Sequence, residues 1–115
     1  MTVFDNPSLS QQISEMHARL CSALSDPRRI LILYALSEKP YTVTELSVQL
    51  GASQPATSRH LKTLRDQGLV TATRQGMNVE YTLNDHRLIG ALETLRLVLF
   101  ESISRQATLI YEGQK

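Results

Sequence analysis

The short connection at residues 51–53 between two amphipathic segments is the feature that most constrains how this chain can fold. Thr42, with Glu45 three residues later, predicts a capping box at the start of one short helix, and the glycine of the connection predicts its end. The serine that closes the connection predicts the N-cap of a second helix over residues 54–67. Two short helices joined by so tight a turn are typical of a helix-turn-helix, which we predict over residues 42–67.

Two more helices precede this pair, and each begins at a proline. Asn6 and Pro7 predict an N-cap and the first helical residue, and apolar residues then recur at helical spacing. Asp26 and Pro27 open the next helix in the same way, and its apolar residues cover much of its circumference, as in a central core helix. We therefore predict a first helix near residues 8–24 and a second one directly after it.

After the helix-turn-helix, the pattern changes from helical to alternating. Runs rich in β-forming residues at 69–74 and 79–83 flank a glycine-containing loop, which predicts a β-hairpin. Asn84 or Asp85 then caps a last helix that, at 1.5 Å per residue, extends for about 40 Å, longer than so small a core can cover. We predict a mainly α winged helix-turn-helix of about five helices, with the hairpin at residues 69–83 as its wing.

Composition and charge narrow the function classes. A chain of 115 residues with 42% apolar content fits one domain over residues 1–115. The net charge is +1, but residues 28–82 carry seven Lys and Arg against four Asp and Glu, and this balance of +3 permits phosphate binding. The sequence shows no signal peptide and no apolar stretch near the ~20 residues that span a bilayer, so we expect a cytoplasmic protein without a membrane partner.

The helix predicted over residues 54–67 has a polar face suited to DNA. Gln bonds adenine bidentately, Arg bonds guanine, Lys neutralises phosphate, and a helix N-terminus offers backbone N–H groups to a phosphate. A solvated polar surface is the simpler interpretation of such a face alone, but the order of tight turn, hydroxyl-rich helix and hairpin favours DNA binding. The residues predicted to point outward are Ser53, Gln54, Thr57, Ser58, Arg59, Lys62 and Arg65.

Four segments taken together closely resemble the ArsR family of small bacterial repressors. These segments are residues 24–33, 42–46, 53–64 and 68–70. The resemblance implies a winged-helix homodimer, paired through the helices at residues 1–24 and 85–111. Such a dimer binds an imperfect inverted repeat in double-stranded DNA and leaves it when an inducer arrives.

By position, the resemblance assigns DNA contacts to the polar helix and to the wing. The matching residues are Ser53, Gln54, Thr57, Ser58, Arg59 and Lys62 in the helix, and Arg74, Gln75 and Asn78 in the wing. His60 matches a histidine between the DNA-reading face and the core, where it is either adjacent to DNA or structural.

An apolar stripe longer than one domain can cover predicts a homodimer, because large exposed apolar patches on a soluble protein mark an interface. The predicted interface residues are Leu9, Ile13 and Leu20 of the first helix and Leu92, Leu95, Leu99 and Ile103 of the last helix.

The inducer sites of the metal-sensing relatives are not intact, so we predict neither a metal nor another cofactor. The ligand positions that the resemblance implies are occupied by Ser47 and Gln49 in the third helix and by Arg87 and Val98 in the last helix. Two carboxylates remain, Asp85 and Glu101, and a cationic side chain beside them disfavours a metal.

Cys21 is then the remaining candidate for a sensor, and three interpretations of it stay open. It is a small buried hydrophobe, a thiol sensor, or one of two soft ligands with His17, which lies four residues earlier on the same helix face. A single cysteine also suits a reducing compartment.

Two other function classes fit less well. An enzyme is not expected, because the three histidines lie on different predicted elements and the sequence has no Gly-rich phosphate loop and no cluster with metal-ligand spacing. A winged helix that binds proteins and not DNA is the alternative, but such modules generally replace the basic face with apolar or acidic residues.

Overall fold

The computed structural model describes residues 1–113 as five helices, three strands and a short 3₁₀ turn at Val3–Asp5. The elements are α1 (Pro7–Ala23), α2 (Pro27–Glu38), β1 (Tyr41–Thr42), α3 (Val43–Leu50), α4 (Gln54–Asp66), β2 (Val70–Gln75), β3 (Asn78–Leu83) and α5 (Arg87–Gly113). They form two compact units, one over Met1–Asn84 and one that begins at Asp85 and contains α5. In residues 1–113, no helix combines the length and the apolar character needed to cross a membrane.

The helix starts predicted from the sequence are confirmed by their capping bonds. The side-chain oxygen of Asn6 accepts the N–H of Leu9 at 3.1 Å, and Asp26 caps α2 at 2.8 Å. Thr42 and Glu45 form a complete capping box, in which each side chain accepts the backbone N–H of the other at 3.2 and 3.1 Å. These bonds satisfy N–H groups that a helix cannot satisfy itself.

The predicted hairpin supplies two strands of a three-stranded antiparallel sheet in the order β1-β3-β2, with β3 at its centre. Val70 pairs with Leu83 at one end of the hairpin and Gln75 with Asn78 at the other, so the turn has two residues. Its first residue, Gly76, has φ of +64°, the conformation that glycine adopts most readily in such turns. The sequence did not predict β1, because two residues are too few to show an alternating pattern.

The core of the first unit is built around α2, as the sequence predicts. Three of its residues, Ile32, Leu33 and Leu36, are buried. The other elements of the unit contribute the buried side chains Ala23, Leu46, Leu61, Leu64, Val70 and Leu83. The helix-turn-helix and the sheet therefore share one apolar core.

The start of α5 decides between the two predicted caps. Asp85 accepts the N–H of Arg87 at 2.9 Å, so its carboxylate is at the helix start. Asn84 instead belongs to the base of the hairpin, where its side chain donates to the carbonyl of Gly68 at 2.6 Å and accepts from the hydroxyl of Thr71. The prediction of Asn84 as a cap is therefore wrong, because its side-chain amide is bonded to Gly68 and Thr71.

Most of the apolar stripe predicted for an interface is exposed in the single chain. Leu95, Leu99 and Ile103 on α5 are 55%, 60% and 64% exposed, and Leu9 and Ile13 on α1 are also exposed. Two members of the predicted stripe differ. Leu92 is buried, at 8% exposure, and Leu20 is half-buried. A second copy of the chain therefore has less of their surface to cover.

Candidate nucleic-acid interface

The helix-turn-helix is held together by bonds around its turn. Gly51 ends α3 in the left-handed conformation, with φ of +62°, and the next N–H, that of Ala52, donates to the carbonyl of Ser47 at 3.1 Å. The hydroxyl of Ser53 then accepts the N–H of Ala56 at 3.2 Å and so caps α4. Across the turn, the amide of Gln54 donates to the hydroxyl of Thr44 at 3.2 Å. The orientation of α4 against α3 is therefore fixed by short-range contacts.

The outward face of α4 carries most of the side chains that the sequence predicted there. Gln54, Ser58, Arg59 and Lys62 are all exposed, and Arg65 continues the same face. Lys62 forms an exposed ion pair with Asp66 at 2.8 Å, one helical turn later. This face therefore combines amide and hydroxyl hydrogen-bonding groups with three basic side chains.

Thr57 is a correction to the predicted DNA-contacting face. Its side chain is fully buried, and its hydroxyl donates to the carbonyl of Ser53 at 2.9 Å. Thr57, Leu61 and Leu64 follow one another at four and three residues, which places all three on one side of a helix. Thr57 is therefore a core residue, and its hydroxyl is satisfied by the helix backbone.

His60 lies on the side of α4 that faces α2, so its assignment to the DNA-contacting face is not supported. Its side chain is 13% exposed, and its Nδ1 is 3.3 Å from a guanidinium nitrogen of Arg29. Burial lowers the pKa of His60, Asp26 opposes this, and the charges of Arg29, Arg28 and Arg59 lower it further. Of the two alternatives left open by the sequence, these contacts favour the structural one.

The polar residues predicted for the wing are exposed. Arg74, Gln75 and Asn78 are exposed at the distal end of the β2–β3 hairpin. The second residue of the turn, Met77, is also fully exposed and was not among the predicted contacts. Its place next to Gly76 in the predicted loop was the available signal, since a side chain in a loop has no strand neighbour to cover it.

Two of the residues considered for inducer binding, Asp85 and Cys21, have surroundings that the structure defines. Within residues 1–113, no group of three or more His, Cys, Asp or Glu side chains is placed to hold a metal. The carboxylate of Asp85 binds Arg87, with 2.7 Å between Oδ2 and Nη2, and hydrogen bonds from Arg87 lower the pKa of Asp85 to about 2. Cys21 is exposed, so its interpretation as a buried hydrophobe is wrong for the single chain.

Comparisons with known proteins agree with this geometry. A model described as "Bacterial regulatory protein, arsR family" matches residues 26–72. The chain is 37% identical over 89 residues to the HTH-type transcriptional regulator YgaV of Escherichia coli K12, and these residues cover 76% of this chain and 90% of that relative. It is 43% identical over 83 residues to the HTH-type transcriptional regulator CmtR of Mycobacterium tuberculosis, covering 71% and 70%. The solved structure of reduced HlyU from Vibrio cholerae matches with a TM-score of 0.68 at 34% identity, covering 77% of this chain and 94% of that one.

Proposed function

Because the chain belongs to the ArsR family of bacterial regulatory proteins, and is thus a DNA-binding transcriptional regulator with a winged helix-turn-helix, we propose that it represses transcription as a homodimer. The homodimer binds an inverted-repeat operator, and an inducer releases it. The proposed DNA contacts are made by the exposed side chains of α4 and of the wing.

The observation that carries this proposal is the composition of the exposed face of α4. Leu61 and Leu64 attach one side of the helix to the core, and Gln54, Ser58 and Arg59 are exposed to solvent. These are the side-chain types that hydrogen-bond to base edges and phosphates in a major groove. A helix that contacts only solvent does not need these amide, hydroxyl and guanidinium side chains directly after a tight turn.

The exposed apolar side chains of α5 support the homodimer. A second copy of the chain covers them, whereas a monomer leaves them in water. In a symmetric dimer, two copies of α4 enter successive major grooves, about 34 Å apart, so the operator is an inverted repeat.

The test compares two basic residues of α4 by fluorescence anisotropy on the inverted repeat in the protein's own promoter. Arg59→Ala is expected to cost about 1–3 kcal/mol and to relax discrimination at one base pair, because Arg59 reads a base. Lys62→Ala is expected to weaken binding to all sequences alike, because Lys62 binds a phosphate. The slope of the logarithm of affinity against the logarithm of salt concentration should also become smaller in magnitude by about one.

The outcome also separates the two function classes. If both substitutions leave operator affinity unchanged, the proposed recognition face is wrong. If the unmodified protein binds no promoter DNA under any salt condition, a protein-binding module is the better description.

A further inference from the structure

A cluster of polar side chains lies on the side of α4 away from its exposed face, and the proposed function does not use it. The cluster consists of Asp26, Arg29 and His60, all half-buried, and we refer to it as the Arg29 cluster. Asp26 caps α2, Arg29 lies in the first turn of α2, and His60 lies in the middle of α4.

Arg29 attaches the C-terminal end of α1 to α2. Its Nε donates to the carbonyl of Ala23 at 2.6 Å, and its Nη2 donates to the carbonyl of Ser22 at 3.2 Å. If α1 continued, the carbonyl of Ala23 would accept from residue 27, which is proline and has no N–H. The guanidinium supplies that missing donor, and its charge lies at a helix C-terminus, where a cation is favoured.

The same guanidinium also contacts α4. Its Nη1 is 3.3 Å from Nδ1 of His60, and a guanidinium can only donate, so Nδ1 is the acceptor. The ring proton of neutral His60 is then on Nε2, which is 3.9 Å from a carboxylate oxygen of Asp26. One planar side chain therefore binds the end of α1 and the middle of α4 at the same time.

We propose that Arg29 is a positioning residue for operator recognition, because it holds α4, through His60, at a fixed place relative to the C-terminal end of α1. This inference rests on the proposed function, in which α1 belongs to the dimerisation surface and α4 is the recognition helix. In such a dimer, the separation of the two recognition helices depends on how rigidly each α4 is connected to its α1. Arg29 is thereby a determinant of operator spacing without being on the DNA-contacting face.

The test measures affinity for two operators, one with native spacing and one with a single base pair inserted at its centre. The insertion moves one half-site by about 3.4 Å along the DNA axis and also rotates it. The unmodified protein is expected to lose roughly 100-fold in affinity, a moderate part of the usual gap between specific and non-specific binding. Arg29→Met is expected to bind the native operator about tenfold more weakly and to lose less than about tenfold on insertion, since its α4 adapts to either spacing.

The ratio of the two affinities separates positioning from stability. A residue that only stabilises the fold lowers the melting temperature when replaced, but leaves this ratio unchanged well below that temperature. Arg28→Met is the matched control, because it removes the neighbouring exposed guanidinium and leaves the bonds to α1 intact. Arg29→Lys keeps the charge with a single donor atom, so an intermediate ratio is expected.

Two variants of His60 test the connection while Arg29 keeps its bonds to α1. His60→Asn places an amide oxygen near the position of Nδ1, so it accepts from Arg29 and is expected to keep the wild-type ratio. His60→Leu has no acceptor and is expected to behave like Arg29→Met. Lowering the pH through the pKa of His60 is expected to reduce the ratio of the unmodified protein, because a protonated Nδ1 faces a donor, and to leave that of His60→Asn unchanged.

Arg29→Met and His60→Leu variants that fold and keep the wild-type ratio overturn this inference. If Arg29→Met does not fold, the His60 pair decides. An unmodified protein that binds both spacings equally well refutes the inverted-repeat homodimer itself, and the inference fails with it.

Discussion

Adjacent residues of α4 illustrate how one step along a helix separates stability from recognition. Thr57 is fully buried and bonds to the carbonyl of Ser53, whereas Ser58 is exposed on the face assigned to DNA. Their side chains are chemically similar, so only their direction from the helix axis distinguishes their roles.

Replacing the hydroxyl of Thr57 is expected to lower stability without weakening DNA binding, and replacing that of Ser58 is expected to do the reverse. Thr57→Val keeps the shape and loses one hydrogen bond, and the Ser53 carbonyl still accepts the N–H of residue 57, so the free energy of unfolding should fall by about 0.5–1.5 kcal/mol. Operator affinity should not change. Ser58→Val, the control, should stay within about 0.5 kcal/mol in stability and weaken DNA binding. Urea denaturation and anisotropy measure both quantities, and a loss of operator affinity in Thr57→Val at unchanged stability contradicts the assignment.

At the scale of elements, the capping box of α3 makes part of the stability depend on pH. The hydrogen bonds from Thr42 lower the pKa of Glu45 below its ordinary value of 4.5, and Lys39 adds to this. A carboxyl whose pKa is lower in the folded state stabilises that state above its unfolded pKa. This stability is lost as the pH falls from about 4.5 through the lowered value.

Glu45→Gln is expected to remove this pH dependence. Glutamine still accepts the N–H of Thr42, so stability near pH 7 should be close to that of the unmodified protein. As the pH falls from about 4.5 through the lowered pKa of Glu45, the unmodified protein should lose stability faster than the variant. Urea denaturation across this range measures the difference, and identical slopes contradict the role of Glu45. Asp85, whose pKa is lowered from 3.8 to about 2, is present in both proteins and so does not change the difference between them.

The elements that the sequence predicted well are those whose ends carry a local chemical signal. The capping residues Asn6, Asp26, Thr42 and Ser53 and the glycine of the hairpin turn each act on neighbours within a few residues. Strand β1 and the contacts of His60 depend on partners far along the chain, and a single sequence does not reveal them. Thr57 was misassigned because hydroxyl residues fit both faces of a helix equally well by type.

At the scale of the whole molecule, the exposed side chains of α5 predict the oligomeric state. Leu99→Glu places a charge within the exposed stripe and is expected to convert the dimer to a monomer, and operator affinity should fall with it, because both half-sites are bound together. Leu97→Glu is the control, since two residues along a helix lead to the opposite side. Light scattering at micromolar concentration measures both. A Leu99→Glu variant that remains dimeric excludes this stripe from the interface.

Divalent metals are expected to leave the operator complex intact. Release requires a ligand with higher affinity for the DNA-free state, and the arginine bound to the Asp85 carboxylate occupies the place of a cation. Zinc, cadmium, cobalt and nickel at micromolar levels should therefore not change the anisotropy of labelled operator. Release at stoichiometric metal contradicts this prediction. If Cys21→Ser abolishes such a release, the metal site includes Cys21 and its neighbour His17.

The recognition face lies on α4, whereas the exposed apolar side chains of α5 belong to the other compact unit, and this has a genetic consequence. Damage to the face of α4, as in Arg59→Ala, leaves the pairing surface of α5 intact. A cell that makes damaged and intact chains together then contains mostly pairs with at least one damaged copy, and such pairs hold only one half-site well. Alleles that alter α4 should therefore be dominant over the intact allele, whereas alleles that abolish pairing through α5 should be recessive.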